Sequence, residues 1–396
     1  MTETIQAIDL KNPDKSNWKT YRFDEIAKNI SERIDPNNTD LGVYIGLEHI
    51  DSDSIHIKRT GTPDDVNGQK LRCYPGDVIF GRRRAYQRKA AISTVDSFCS
   101  AHSLVLRANP DVIEPKLFPF FLHSDLFMHR AIDISVGSLS PTINWGTLKH
   151  QEFQLPPKDH QAKLVELLWA MDDTLQKESE LVEKAIKYKN AKLRAIFSHD
   201  VARNDEDCVH TEIGYVPKTW KIIEQGKVAE FINGRAYKKS EWENNGVPVI
   251  RLQNLTGTGE EYYFSSLDLP EKNYCSNGDL LYMWSATFGA RIWQGGKAIF
   301  HYHIWKIECN EEKLLKKYMF YNLEEITRRM MRQVSGSTMP HITKSGMESL
   351  KIGLPPIDQQ YAFVENLDQI VHSIDEANRN INSFKMLSNR LINQIF

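Results

Sequence analysis

The chain has little that would tie it to an oxidising compartment or a bilayer. Its five cysteines in 396 residues (Cys73, Cys99, Cys208, Cys275, Cys309) are odd in number and never in CxxC spacing. That argues against a disulfide framework and a zinc ribbon, and fits a reducing cytoplasm. No apolar run approaches the roughly 20 residues that a membrane-spanning helix needs. The start, MTETIQAIDLKNPDKSNW, lacks the basic region and apolar core of a secretory signal. A cytoplasmic chain with no membrane contact is the expectation. Excess charge of one sign is missing too: 50 Lys and Arg stand against 52 Asp and Glu. Any phosphate-binding surface must therefore be local rather than global.

Catalytic signatures are equally sparse. There is no GxxxxGK[ST] phosphate loop, no glycine-rich cofactor loop after a strand, and no Asn-Pro-Pro-aromatic tetrad. The Asn-Pro-Asp stretches at Asn12 and Asn109 read as turns, and no Pro-Asp dipeptide precedes a nuclease-like Glu-x-Lys strand. His301 and His303 in HYH would place two imidazoles on one strand face, but without a third ligand nearby a packed or solvated strand is the better reading. No catalytic residue, metal or cofactor is expected in this chain.

What the chain does have is itself, twice. SVGSLSPTINWGTLKHQEFQLPP (135–157) lies over VSGSTMPHITKSGMESLKIGLPP (334–356) without a gap. Gln161 and Gln360 keep the same offset, as do Phe197 and Phe396. Further upstream Gly76-Asp77 answers Gly278-Asp279, Trp18 answers Trp220, and YIGLEHI answers VIRLQNL. A repeat of half the chain is two copies of a domain-sized unit, not a solenoid.

Each copy reads as a mixed α/β part followed by one long helix. β-rich runs (VYIGL, GDVIFG and SLVLRA; VPVIRL, GDLLYMW and HIWKIE) are separated by Gly, Asp, Asn and Pro punctuation. After each Leu-Pro-Pro, about 40 residues pass without Gly or Pro. Apolar residues there recur at helical spacing: Leu164, Leu168, Met171, Leu175, Val182, Ile186 and Leu193, then Phe363, Leu367, Ile370, Ile374, Ile381 and Leu391. Phe197, Phe384 and Ile395 extend the two stripes. Such a narrow seam on a helix of about 60 Å calls for a partner helix. The expected division is 1–157, α/β; 158–198, long helix; 199–356, α/β; 357–396, long helix. Each helix is acidic first and basic later, so antiparallel pairing sets unlike halves side by side. The fold class is α+β, with two α/β domains in tandem and their helices paired as an antiparallel coiled coil with pseudo-twofold symmetry.

This organisation resembles the specificity subunits of type I restriction-modification systems. The doubled GS…P.I…L…LPP…Q segment carries the likeness, as do EIGYVPKTWK (212–221), INGRAYKK with GVPVIRLQNL, and NGDLLY. It covers essentially the whole chain. The resemblance implies a non-catalytic subunit in which each α/β domain is a target-recognition domain for one half of a bipartite, asymmetric site on double-stranded DNA. It implies that the paired helices dock two methyltransferase subunits, which would carry S-adenosylmethionine, with restriction (translocase-nuclease) subunits as further partners. A DNA-targeting subunit of a restriction-free methylation or other defence complex, and a protein-binding coiled-coil scaffold, are the alternatives.

Candidate DNA contacts follow. In the first copy Arg82, Arg83, Arg84, Arg88 and Lys89 surround Tyr86 and Gln87, directly after the GDVIF strand. Arginine reads guanine or bridges phosphate, and glutamine reads adenine; a merely solubilising basic loop is the plainer alternative. The equivalent WSATFGARIW offers Trp284, Ser285, Thr287 and Arg291, with core packing as the alternative. A second patch comprises Arg235, Tyr237, Lys238 and Lys239. Ser138, Ser337 and His341, in the Gly-Ser loops, could donate to phosphates or simply shape the turn into the helix.

Overall fold

The Gly-Asp repeats are turns that launch a central strand in each copy. Gly76 and Gly278 hold φ at +92° and +89°, a left-handed backbone that glycine adopts without a Cβ penalty. Their N–H groups donate to the carbonyls of Ser93 and Trp293, each at 2.8 Å. The carboxylates of Asp77 and Asp279 close each turn by accepting from the backbone N–H of Tyr74 and Ser276 at 2.9 and 2.8 Å. From these turns run the strands Val78–Gly81 and Leu280–Ser285.

A computed structural model describes residues 15–198, 207–333 and 343–396. The chain forms two compact units, Met1–Glu180 with Asn378–Phe396, and Leu181–Ala377. Both long helices, Lys158–Phe197 and Ile357–Ile395, contribute one half to each unit.

In the first unit an antiparallel sheet runs Ala27–Ile30, Ser103–Ala108, Val78–Gly81, Ala90–Ile92. The second unit repeats that order with Ala229–Asn233, Ile304–Cys309, Leu280–Ser285 and Thr287–Ile292. A second four-stranded sheet in each unit contains one parallel pair, Tyr44–Ile45 with Ser97–Cys99 and Val247–Ile250 with Ala298–Phe300. These sheets differ at their edges. In the first unit Arg33–Ile34 is added beside Lys70–Cys73; in the second Tyr263–Ser265 is added beside Val247–Ile250.

The Leu-Pro-Pro segments end strands. Glu152–Leu155 pairs antiparallel with Lys19–Arg22, and Lys351–Leu354 with Lys221–Glu224. Proline then stops the ladder and opens a helix. The recurring glutamine four residues after the last proline is buried at that junction. Gln161 accepts from the N–H of Glu114 at 2.7 Å and donates to the carbonyls of Val112 and Pro156 at 3.0 and 2.8 Å. Gln360 does the same with Leu315, Lys313 and Pro355, at 2.9, 2.8 and 3.0 Å. One amide thus ties each helix start to its own α/β domain.

Pairing of the long helices is antiparallel within each unit. Leu164 and Leu168 share one core with Leu391, Ile392, Ile395 and Phe396 and with the aromatic cluster Phe23, Phe121, Phe127 and Phe153. Leu193, Ile196 and Phe197 share another with Leu367, Phe363, Tyr282, Trp305 and Tyr318. Val182, Ile374 and Ile381 are buried, and Met171, Leu175, Phe363 and Ile370 partly so. Ile186 departs from the expected seam at 42% exposed, and so does Phe384 at 38%. The antiparallel orientation is the one that the helix charges favour. Among the described residues, ion pairs run from helix to α/β domain: Lys158 to Glu114, Asp172 to His56, Lys189 to Glu324 and Asp368 to Lys317. None of those described joins helix to helix.

Candidate nucleic-acid interface

The same hairpin position carries different chemistry in the two units. Backbone registers fix the equivalence: Gly81 pairs with Ser103 and Met283 with Ile304. One residue on, the N–H of Arg82 donates to the His102 carbonyl at 3.2 Å, and that of Trp284 to the His303 carbonyl at 3.1 Å. Arg82 and Trp284 are therefore counterparts.

In the first unit regular pairing of this hairpin stops at Phe80 with Ala90. The connection then turns through a short 3-10 segment, Ala85–Gln87, flanked by Arg84 and Arg88 at φ of +53° and +51°. It is pinned from the side by the Gly-Ser loop: Arg84 N–H donates to the Pro141 carbonyl at 2.8 Å, and Ile143 N–H to the Arg82 carbonyl at 2.9 Å. The basic loop and exposed Ser138 thus belong to neighbouring segments of one surface. Arg83, Arg84 and Tyr86 are exposed there, Tyr86 by 55%. Gln87 is half-buried. Arg83 Nη1 lies 3.2 Å from His102 Nε2.

Two of the five cations turn inward. Arg88 donates to Asp53 at 2.6 Å, to Asp125 at 2.9 Å and to the His123 carbonyl. Lys89 donates to the Leu47 carbonyl at 2.5 Å. Both bind the loop to its own domain, which sequence spacing could not distinguish from reaching outward.

In the second unit the counterpart is a tight hairpin paired to its tip, Ser285 opposite Thr287, with Ala286 at φ +58°. Thr287 is exposed, Trp284 and Ser285 half-buried. Arg291 is exposed but sits opposite Leu281, well down the strand from the tip. The Trp284 indole donates to the Tyr302 carbonyl at 2.9 Å and stacks on buried Trp305 at 5.6 Å. Its ring is therefore held rigidly by its own domain.

Beside it the NGRAYKK segment runs along HYH, with Arg235 N–H donating to the Phe300 carbonyl and Tyr302 N–H to the Arg235 carbonyl. HYH is a turn rather than the expected strand face. Its imidazole centroids lie 5.2 Å apart. Burial first, then His303 and Arg251, push His301 down to about 4, so it is neutral at pH 7. Among the described residues no group of three His, Cys, Asp or Glu could hold a metal.

Around this turn the expected Tyr237 is joined by two rings, Trp242 and Tyr263, that sequence reading missed. Tyr237 stacks on Trp242 at 4.9 Å, Trp242 lies 4.5 Å from Tyr263, and Arg251 sits 4.2 Å over the Tyr263 ring. Arg235 lies over Tyr237 at 4.3 Å while also pairing with Glu241. Lys238 is exposed. Ser337, His341 and the Lys239 side chain lie outside the described residues. Trp242, Arg251 and Tyr263 are brought together by the pairing of Val247–Ile250 with Tyr263–Ser265 and by the bridge of Glu243 to Phe264, which residue spacing alone does not show.

Comparison with known proteins is consistent across sequence and fold. The family described as type I restriction modification DNA specificity domain matches twice, over residues 15–185 and 217–383. A Methanocaldococcus jannaschii protein named as the specificity subunit of type I restriction enzyme MjaX is 26% identical, over 95% of this chain and 92% of that protein. The EcoBI specificity subunit of Escherichia coli is 26% identical over 43% of this chain and 36% of its own length. In fold, the S subunit of a type I restriction-modification system from M. genitalium matches with a TM-score of 0.57, at 14% identity and 96% coverage of both chains. A chain from a structure of complex assembly in the type I system matches with a TM-score of 0.60, at 21% identity, over 96% of this chain and 97% of that one.

Proposed function

The chain belongs to the type I restriction-modification DNA specificity family, and from that premise we propose that each α/β domain reads one half of a split, asymmetric DNA target. The observation that carries the reading is the hairpin tip. One architecture, twice built, presents Arg83, Arg84 and Tyr86 in one copy and Trp284, Ser285 and Thr287 in the other. Equal scaffolds with unequal tips suit two readers of unequal half-sites. Arginines at the first tip can take guanine edges or phosphates. The second tip is itself uncharged and has Tyr237, Trp242 and Tyr263 nearby, with Arg235 and Arg251 over two of those rings.

The chain itself performs no bond chemistry in this proposal. Methyl transfer, with S-adenosylmethionine as donor, belongs to two methyltransferase subunits docked along the paired helices, and cleavage to separate translocase-nuclease subunits. The test is to co-express the chain with a type I methyltransferase subunit from the same genome, in a host without DNA methylation, and to map methyladenine genome-wide. One split motif, methylated on both strands and absent without this chain, is the expected result. A complex that forms but leaves DNA unmethylated would count against sequence recognition.

A further inference from the structure

Behind the first hairpin tip lies a cavity of about 180 Å³, at the edge where the two sheets of the first unit meet. Arg33, Lys70, Arg82 and Ser103 line it together with Asn29 and Gln69, and none of its lining residues is acidic. Two polar atoms buried there, Arg82 Nε and Ser103 Oγ, have no hydrogen-bond partner, and Ser103 is only 1% exposed. Lys70 is partly engaged by the carbonyls of Asn67 and Gly68, and an ammonium group has three hydrogens to give. Leaving a buried donor unsatisfied costs about 1–3 kcal/mol.

The fold does not require these groups. At the matched register positions the second unit has Trp284 in place of Arg82 and fully buried Ile304 in place of Ser103. There Ile304 packs in an apolar core with Leu281 and Met283, and the Trp284 ring stacks on Trp305 in another. The first unit instead keeps a hydroxyl and a guanidinium facing a small basic space. His102, adjoining it, is held below its ordinary range by burial first and then by the cations Arg83, Arg82 and Lys70. The cavity has room for a small hydrated or tetrahedral group.

We propose that this pocket seats a phosphate oxyanion, namely one backbone phosphate of the DNA held by the first recognition domain. The assignment rests on the DNA-reading function above. Arg33, Lys70 and Ser103 are thereby phosphate-positioning contacts, independent of base sequence.

The experiment measures affinity across a salt series for the full chain in complex with its methyltransferase, on a duplex carrying the mapped target and on a scrambled duplex. Arg33→Ala and Lys70→Ala should each lower the slope of log affinity against log salt by about one, and weaken both duplexes by the same factor. Ser103→Ala should weaken both duplexes without lowering the melting temperature, because the lost hydroxyl has no partner within the chain. Unchanged slopes in variants that melt like the parent would overturn the proposal, as would a loss confined to the target duplex. Inorganic phosphate titrated without DNA is the control: saturation that moves the His102 resonances while the DNA slopes stay unchanged would assign the pocket to a free anion and reject the DNA phosphate. If the parent complex itself fails to prefer the target duplex, the failure lies with the DNA-reading function instead.

Discussion

At the scale of single residues, the two glutamines after Leu-Pro-Pro explain the most persistent part of the repeat. Each makes three hydrogen bonds to backbone groups of its own domain from a fully buried position. Gln161→Leu keeps the volume but strands an N–H and two carbonyls away from water. The expected loss is on the order of 3 kcal/mol, measured as a shift of the urea midpoint, with Gln360→Leu matching it in the second unit. Similar midpoints for variant and parent would mean that the junction is held by packing alone. Charge was a poorer guide at this scale. Five cations sit close together in GRRRAYQRKAA, yet Arg88 and Lys89 serve carboxylates and carbonyls of their own domain. Their partners Asp53, Asp125 and Leu47 lie about 35 or more residues away in sequence, beyond any local pattern.

Elements were more legible. The absence of Gly and Pro after each Leu-Pro-Pro, with apolar residues at helical spacing, delimited two helices whose observed bounds are Lys158–Phe197 and Ile357–Ile395. What spacing could not rank is how deeply each seam position is covered. Leu168 and Leu367 are fully buried because an α/β domain and the opposing helix close on them together, whereas Ile186 remains 42% exposed. Leu168→Ala and Leu367→Ala should each cost about 2–5 kcal/mol, and Ile186→Ala less than about 1 kcal/mol because little of its surface leaves water on folding. Thermal melts of the three variants check this ordering. An equal cost at all three positions would mean that the helices themselves, rather than the domains against them, dominate burial.

At the scale of the whole molecule the repeat predicts modular behaviour. Exchanging residues 283–289, the second hairpin tip, for residues 81–89 of the first replaces an uncharged tip with a cationic one on a matched ladder. Methyladenine mapping of the exchanged chain should show a changed half-motif with the other half and the spacing between them retained. A change in both halves would reject separate readers. Loss of all methylation with a soluble complex would place essential contacts at Trp242, Arg251 and Tyr263, which the exchange leaves on an altered neighbour.

Duplication, strand runs, helix lengths and antiparallel polarity were all set by local pattern, since periodicity and Gly-Pro punctuation act within a few residues of themselves. The sequence alone also delivered the family resemblance, because the order and spacing of its motifs survive along the chain. Only the tertiary structure decided which charges face outward, where Ile186 loses its cover, and that HYH is a turn. It alone assembled the Trp242–Tyr263–Arg251 stack and the Arg33–Lys70–Ser103 pocket. Those depend on contacts between separate strands and loops, and such contacts come into being only when the sheets close.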